Sequence, residues 1–523
     1  MKKFFKVACL ALGVGLACSF AACGGGGEEG GDPDTPGSSG SISVHYSAGG
    51  FGKEWMAKIG KDYKALTGVS VRWVPSYTTG EIQSLLVTGQ EKNDVVMPLL
   101  NMYQAQDAHR LEDLTDVYNS TFEGEELAIK DKMNQSLYNY IEASDGKRYQ
   151  MFGSNSVSAF CYNITTLNAA FQGEEYELPR TTNELISFAD TLKSKGYYAF
   201  SSSVNINYYW DYVGTVWWAQ YDGLEAFNKF YEGKYYDAAS GEWKTGVEIN
   251  DTLGRQYSLE ALSSVLKKSN GYMHQLSDRM GFEEAQGAFL GNGYQGDNKK
   301  VAFMVNGDWL ENEMSSWLLS NPQDIGMMRN PVISALATKL KTIGTDEKLS
   351  AVVKAVDEGA TSYDGVSAED FEAVRQARLM AYTATPNYPI GIPANRPAKQ
   401  KQLAKDFLVY LYSARAQKIY ANELQGLTMP SGYDVLSDPN NRVSEFVKSR
   451  LQAFGNDMVP VFPNNSSPMV YRGGLSELPG VGTTADKQLY NGAAPASILN
   501  TSKTNMVANW ENYLKALESS GQN

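Results

Sequence analysis

The sequence has few residues of the kinds that bind metals or form disulfides: four cysteines and three histidines among 523 residues. His45, His109 and His274 are scattered, with no cysteine or carboxylate cluster that has zinc-ligand spacing. Only Cys23 and Cys161 are expected to remain after the cleavage predicted below, and Cys23 would carry lipid, so no disulfide framework is expected. Cys161 lies in the apolar run 157–162 and is predicted to be a buried small hydrophobe. The sequence therefore predicts no metal and no other cofactor.

An excess of positive charge is also missing. The chain has 46 Lys and Arg against 59 Asp and Glu, a net charge of −13. Such a surface repels nucleic acid, anionic lipid and acidic polymers, so we predict no nucleic-acid partner. The sequence contains no Gly-x-Ser-x-Gly motif and no phosphate loop ending in Lys-Ser or Lys-Thr, which argues against the common hydrolases and nucleotide-dependent enzymes.

Residues 1–22 have the pattern of a bacterial lipoprotein signal. Lys2 and Lys3 precede an apolar run that is too short to span a bilayer, and small residues lead up to Cys23. The pattern predicts cleavage before Cys23 and attachment of lipid to it. Cys18 is the competing attachment site, and an ordinary cleaved secretion signal is the alternative.

Residues 23–40 are a mixture of Gly, Pro, Ser, Asp and Glu. This composition has too few apolar side chains to fold, so we expect a flexible tether. No second run of eighteen or more apolar residues follows it. The protein is therefore expected on the outer face of the bacterial cytoplasmic membrane, extracellular or periplasmic, touching the membrane through its lipid anchor only.

The globular part opens with alternating strand and helix patterns. Strands are predicted at 42–46, 69–73 and 94–97, and helices at 55–66 and 81–86. This order predicts a mostly parallel sheet with helices on its faces. Ligands of such sheets bind beyond the carboxyl ends of the strands, so we look for a site in the loops after these strands.

A second block of strand and helix patterns begins near residue 155. Further strands are predicted at 157–162, 197–200 and 301–305, helices at 183–195 and 403–411, and amphipathic helices within 332–382. A polar loop, 201–207, leads into a run of aromatic residues. Trp217 and Trp218, further along that helix, are predicted to be core residues.

Four stretches of the sequence carry a family likeness. They are 46–55 (Tyr-Ser-Ala-Gly-Gly-Phe-Gly-Lys-Glu-Trp) with Thr67-Gly68-Val69, 94–97 (Asp-Val-Val-Met) with 111–114, 304–311 (Met-Val-Asn-Gly-Asp-Trp-Leu-Glu), and 390–393 (Ile-Gly-Ile-Pro) before 404–408. No single stretch is specific, but together they span nearly the whole mature chain. In their order and spacing they resemble the family 1 extracellular solute-binding proteins, the carbohydrate-binding lipoproteins of ABC importers related to maltose-binding protein.

The resemblance implies an α/β fold of the two-lobe periplasmic-binding-protein-like type (type II), with a ligand cleft between lobes joined by hinge strands. The crossings are expected near 151–155 and 325–331. Lobe 1 is predicted to comprise 41–152 and 331–440, including a helical addition at 332–382, and lobe 2 to comprise 153–330 and 441–523.

The function implied by the resemblance is capture of a sugar or oligosaccharide and its delivery to ABC transporter permease subunits, by a monomer without catalytic activity. Two alternatives stay open. One is a sugar-cleaving surface lipoprotein, because Asp211, Asp308 and Glu311 lie near the aromatics. The other is a binder of peptides, amino acids or metal.

Trp309 is the leading candidate for a ligand-binding residue, since it matches the family's cleft-stacking tryptophan; the alternative is a core aromatic. Asp308 beside it could accept hydrogen bonds from sugar hydroxyls or cap the following helix. The other candidates are Tyr208, Tyr209 and Trp210, which resemble a second aromatic platform, and Gly50, Phe51, Tyr77, Asn101 and Asn155, which are chosen for their places in loops.

Overall fold

The computed structural model describes residues 40–48, 54–99, 101–154, 156–206, 209–383, 388–424, 433–455, 457–462, 467–475 and 485–519. The signal sequence, Cys23 and nearly all of the tether lie outside these ranges. Within the ranges, none of the helices has the length and apolar character needed to cross a membrane.

The first part of the chain forms a three-stranded parallel sheet in the order β2-β1-β3. The predicted β-α-β-α-β order is confirmed. Trp55, Ile59 and Tyr63, spaced along one face of α1, are buried against this sheet. The elements are β1 (Ser41–Ser47), α1 (Glu54–Thr67), β2 (Ser70–Ser76), α2 (Glu81–Val87), β3 (Val95–Met97), α3 (Tyr103–Asp107), α4 (Thr115–Tyr118), α5 (Ile129–Lys132) and α6 (Gln135–Tyr140).

The next part contributes most of a six-stranded mixed sheet in the order β11-β10-β4-β8-β5, with β9 also paired to β4. The elements are β4 (Ser158–Asn163), α7 (Ile164–Phe171), α8 (Thr182–Ser194), β5 (Tyr198–Phe200), α9 (Tyr209–Asp222), α10 (Leu224–Phe230), β6 (Lys234–Asp237), β7 (Glu242–Thr245), α11 (Leu253–Leu266), α12 (Phe282–Phe289), β8 (Val301–Gly307), α13 (Leu310–Glu313), α14 (Ser315–Ser320), β9 (Ile325–Met328), α15 (Leu336–Lys339), α16 (Asp346–Asp357), α17 (Ala368–Leu379) and β10 (Met380–Tyr382).

The last part returns to the first sheet and then to the second. Its elements are α18 (Ala398–Leu411), α19 (Ala414–Leu424), α20 (Glu445–Ala453), β11 (Val459–Val461), α21 (Pro468–Tyr471), α22 (Ala485–Tyr490) and α23 (Pro495–Glu518). The amphipathic faces of α18 and α19 pack on α1 and the first sheet, whereas β11 pairs with β10 in the second.

Buried side chains define two lobes. The first core joins β1, α1 and β3 to α4–α6, α18 and α19. The second is built on both faces of the larger sheet, and α9 connects its parts because Val213 and Trp217 enter one cluster while Val216 and Trp218 enter another. The predicted burial of Trp217, Trp218 and Cys161 is confirmed.

The chain first leaves the first lobe after Phe152 and returns to it only after β10. The predicted crossing at 325–331 is wrong, because β9 pairs with β4 inside the second lobe. The assignment of 332–382 to lobe 1 is also wrong. Val352 and Val353 of α16 and Phe371 of α17 are buried in the cluster that contains Trp217, since α17 packs on α9 and α16 packs on α17.

Candidate functional site

Both sheets direct the carboxyl ends of most of their strands at the other lobe. In the second lobe, β8 and β10 are both antiparallel to β4, and the chain leaves β10 towards the first lobe. In the first lobe, the chain at 390–391 arrives from the second lobe and forms antiparallel bridges with residues 151 and 96. Residue 96 belongs to β3, so β3 and its parallel neighbour β1 run towards the second lobe. A ligand site of the expected kind therefore lies between the lobes.

Side chains of the two lobes contact each other beside the crossing segments. Tyr140 of α6 stacks on Phe462 after β11, with ring centroids 3.7 Å apart, and Asn134 Nδ2 donates to the Met458 carbonyl at 3.1 Å. A cavity of about 780 Å³ lies here, also lined by Tyr231. The carboxyl ends of β1 and β2 in the first lobe and of β8 and β5 in the second face this same interlobe space, which we call the cleft.

Trp309 lies at the carboxyl end of β8 and is partly exposed. Its ring lies over Gly307, where an added Cβ would be 2.1 Å from Trp309 Cζ3. A glycine two residues before the tryptophan thus allows the indole to fold back over the strand end. This places a flat aromatic face at the edge of the sheet that points to the first lobe.

Replacing Gly307 by alanine is expected to displace the Trp309 ring, because 2.1 Å is far below any van der Waals contact. We expect the variant to lose about 1–3 kcal/mol of unfolding free energy, measured by urea denaturation. Gly455→Ala is the matched control, since its nearest neighbours would be at 3.5 Å. Equal stability of the two variants would contradict the placement of the indole.

Asp308 is fully buried. Ser156 Oγ donates to Oδ1 at 2.7 Å, while Val157 N and Arg450 Nε donate to Oδ2, both at 3.2 Å. Burial raises the pKa of this carboxyl to about 6, although the Arg450 charge opposes the rise. The residue at the N-cap of α13 is Trp309, so Asp308 is not its cap. Its carboxylate instead ties the first crossing segment to α20.

The aromatic run at the start of α9 is divided between core and surface. Trp210 is fully buried, with its ring 5.7 Å from that of Phe160 and 5.3 Å from that of Phe200. The Tyr209 ring is 5.8 Å from that of Tyr212, which is partly exposed. The structure therefore places Trp210 in the second core and leaves tyrosine rings beside the N-terminal end of α9.

The remaining candidates are placed individually. Tyr77 follows β2 and is 75% exposed, and Asn101 Oδ1 accepts from the Tyr103 backbone N–H at 3.4 Å. Both follow strands whose carboxyl ends point to the second lobe. Gly50, Phe51, Asn155 and Tyr208 lie outside the described residues.

Two carboxyl groups that we did not select from the sequence as ligand-binding residues are neighbours at the N-terminal ends of α9 and α22. Asp486 is 1% exposed, and its Oδ2 accepts from the Trp210 backbone N–H at 3.1 Å. Asp486 Oδ1 and Asp211 Oδ2 are buried and have no hydrogen-bond partner among the described residues. We call Asp211 and Asp486 the carboxyl pair.

Burial and mutual repulsion make the carboxyl pair hard to ionise. Burial, followed by the Asp486 charge, raises the pKa of Asp211 well above its usual value. Burial raises the pKa of Asp486 to about 7. In the described part of the chain, no three His, Cys, Asp or Glu side chains are grouped to hold a metal ion. The pair therefore offers carboxyl oxygens that accept hydrogen bonds, and an O–H that donates one when a proton is bound, to a group such as a sugar hydroxyl.

Comparison with known proteins agrees with this architecture. The family model for bacterial extracellular solute-binding proteins matches residues 58–445. The chain belongs to this family. The resemblance stated from its sequence motifs is confirmed. No curated protein sequence matches this solute-binding protein significantly.

Solved structures share the fold of this solute-binding protein at low identity. A family 1 extracellular solute-binding protein from Bifidobacterium longum subsp. infantis is 15% identical, with 90% of this chain and 99% of that chain covered and a TM-score of 0.55. RafE from Streptococcus pneumoniae is 13% identical, with 91% and 99% covered and a TM-score of 0.59. A chitin oligosaccharide binding protein is 17% identical, with 90% and 99% covered and a TM-score of 0.56. The predicted two-lobe α/β fold is confirmed.

Proposed function

We propose that this protein captures a sugar or oligosaccharide in the cleft and delivers it to the permease subunits of an ABC importer. The carboxyl pair is the observation that carries the proposal. Sugar hydroxyls donate hydrogen bonds, and the pair presents acceptors that the described protein groups leave unused. The C–H face of a pyranose packs on aromatic rings, and Trp309 and Tyr212 are partly exposed at this edge of the second lobe.

The structural neighbours support the choice of ligand class. One is described as RafE in complex with raffinose, another as a chitin oligosaccharide binding protein, and a third as the solute receptor AcbH with a preference for galactopyranose. These descriptions concern those proteins, at 13–17% identity. Their common ligand class agrees with the carboxyl pair and aromatic rings of this chain.

In the proposed mechanism, a ligand held by both lobes stabilises the arrangement in which they are close. Ligand contacts made only in that arrangement shift the equilibrium towards it. Trp309, Tyr209 and the carboxyl pair would hold the sugar from the second lobe, and Tyr77 and Asn101 from the first. The closed pair of lobes then presents a distinct surface to the permease.

We propose further that the chain acts as a monomer outside the cytoplasmic membrane. The signal pattern of residues 1–22 and the family's extracellular character support this location. A lipid on Cys23 and the flexible tether would keep the lobes near the permease while leaving them free to rotate.

Sugar cleavage is the second candidate, because a glycosidase also uses two carboxyl groups, one of them with a raised pKa. The family consists of binding proteins, so we favour release of the ligand unchanged. Incubation with raffinose or chitin oligosaccharides and an assay for new reducing ends decides between the two. New reducing ends that disappear in Asp211→Asn would establish cleavage.

Trp309→Ala tests the proposed function directly. Loss of a stacking ring at the centre of a site costs about 2 kcal/mol or more, so we expect affinity for the bound sugar to fall about 30-fold or more. Titration calorimetry with raffinose, chitin oligosaccharides and galactose measures it, and near-ultraviolet circular dichroism checks the fold. Trp317→Ala, which removes a tryptophan 44% exposed on α14, should bind like wild type. Undiminished binding by Trp309→Ala would refute the site.

A further inference from the structure

Two short helices from different lobes contact each other through aromatic rings. α3 belongs to the first lobe, since Met102 and Ala105 are buried with side chains of α2 and β3. α21 belongs to the second lobe, where Met469 is buried with side chains of α9 and α23. Between them, the rings of Tyr103 and Tyr471 stack with centroids 5.8 Å apart and planes inclined by 25°.

A carboxylate of the first lobe adds polar contacts to this stack. Asp107 Oδ2 accepts from Tyr471 Oη at 2.5 Å and from Arg472 Nη2 at 2.7 Å. Gln104 Nε2 donates to the Tyr471 carbonyl at 3.4 Å. The side chains of Arg472 and Asp107 are only 32% and 19% exposed, so solvent screens their attraction incompletely. Hydrogen bonds between charged groups are the stronger kind.

We infer that Tyr103, Asp107, Tyr471 and Arg472 form an interlobe clasp, which sets the angle between the lobes when no ligand is bound. Among the described residues, the lobes are also joined by the crossing segments, by the contact of α6 with β11 and by the packing of Ala421 of α19 with Val447 of α20. Contacts that exist at one interlobe angle and break at another shift the equilibrium between the two by their free energy. The clasp residues thereby act on binding as positioning residues, whatever solute the cleft holds.

A cluster with the same donors elsewhere in the chain gives a matched control. Asp62 accepts from Tyr410 Oη at 2.8 Å and from Arg415 Nε at 2.7 Å. All three residues lie in the first lobe, on α1, α18 and α19. Asp62→Asn therefore removes a comparable carboxylate charge without breaking a contact between lobes, whereas Asp107→Asn weakens the clasp.

The test compares the full-length wild type with Asp107→Asn and Asp62→Asn, all without ligand. For Asp107→Asn we expect a larger radius of gyration by small-angle X-ray scattering. We also expect backbone amides of 103–107 and 469–471 to exchange about three- to tenfold faster. High salt should move the wild type towards this variant, since screening weakens the Asp107–Arg472 attraction. Asp62→Asn should match the wild type in both measurements.

Two outcomes would overturn the clasp. One is a wild-type radius of gyration and wild-type exchange in Asp107→Asn, and the other is an equal change in Asp62→Asn. Tyr471→Phe is a second variant that keeps the ring stack and removes one hydrogen bond, so it should give a smaller change of the same sign. Asp107→Glu should restore part of the wild-type behaviour. None of these measurements requires a sugar, so the clasp and the proposed function can fail independently.

Discussion

Replacing the carboxyl pair with Asp211→Asn and Asp486→Asn is expected to weaken sugar binding strongly and at the same time stabilise the fold above pH 7. A hydrogen bond to a charged group contributes about 1.5–3 kcal/mol and one to a neutral group about 0.5–1.5 kcal/mol, so losing one of each should weaken affinity about 30-fold or more. The stability gain follows from burial, because the folded state resists ionisation of both groups.

The sign of the pH dependence follows from the pKa of Asp486, which burial raises to about 7. An unfolded aspartate has a pKa of about 3.9, so between these values the folded chain binds more protons than the unfolded chain. The contribution of Asp486 to the free energy of unfolding therefore falls as pH rises from about 4 to about 7. Sugar affinity should change the opposite way, since hydrogen bonds to a charged carboxylate are stronger than those to its protonated form.

Thermal unfolding and calorimetric titration between pH 5 and 8 measure both trends. Asp190→Asn is the control, because Asp190 accepts from Tyr272 Oη in the same lobe and has no place in the cleft. Wild-type affinity together with an unchanged pH profile in Asp486→Asn would show that the pair does not bind the ligand.

Asp308→Ala is expected to destabilise the fold by about 3–5 kcal/mol, the usual cost of leaving one partner of a buried ion pair without the other. Arg450, fully buried, would lose its carboxylate, and Ser156 and the Val157 N–H would lose their acceptor. Urea denaturation with two-state analysis for each variant measures the change.

The double variant Asp308→Leu with Arg450→Met is the control for this ion pair. Replacing both charges by apolar groups removes the unpaired charge, so we expect most of the lost stability to return. If Asp308→Ala unfolds at the same urea concentration as the wild type, a structural role for this carboxylate is contradicted.

Much of the fold could be predicted from local patterns in the sequence. The alternation of Ile42, Val44 and Tyr46 predicts β1, and helical spacing of Trp55, Ile59 and Tyr63 predicts α1, because periods of 2 and 3.6 are properties of single segments. The same holds for Val301–Gly307, the strand that carries Trp309 to its place.

The lobe to which α16 and α17 belong, and the carboxyl pair, could not be predicted because they depend on contacts between residues far apart in the sequence. The apolar faces of α16 and α17 are evident from sequence, but nothing in them tells which lobe supplies their partner. Asp211 follows a visible run of aromatics, whereas Asp486 is 275 positions away, and only the packing of α22 against α9 brings the two together. Asp308 similarly meets Arg450 through a distant helix.

The composition of the first core has a consequence for folding during synthesis. Apart from Phe462, its buried residues come from 42–152 and again from 390–420, so the lobe that begins first along the chain cannot complete its interior until some 270 later residues have appeared. A nascent chain therefore carries an unfinished N-terminal half, and the tertiary folding of this lobe waits for most of the protein to be synthesised.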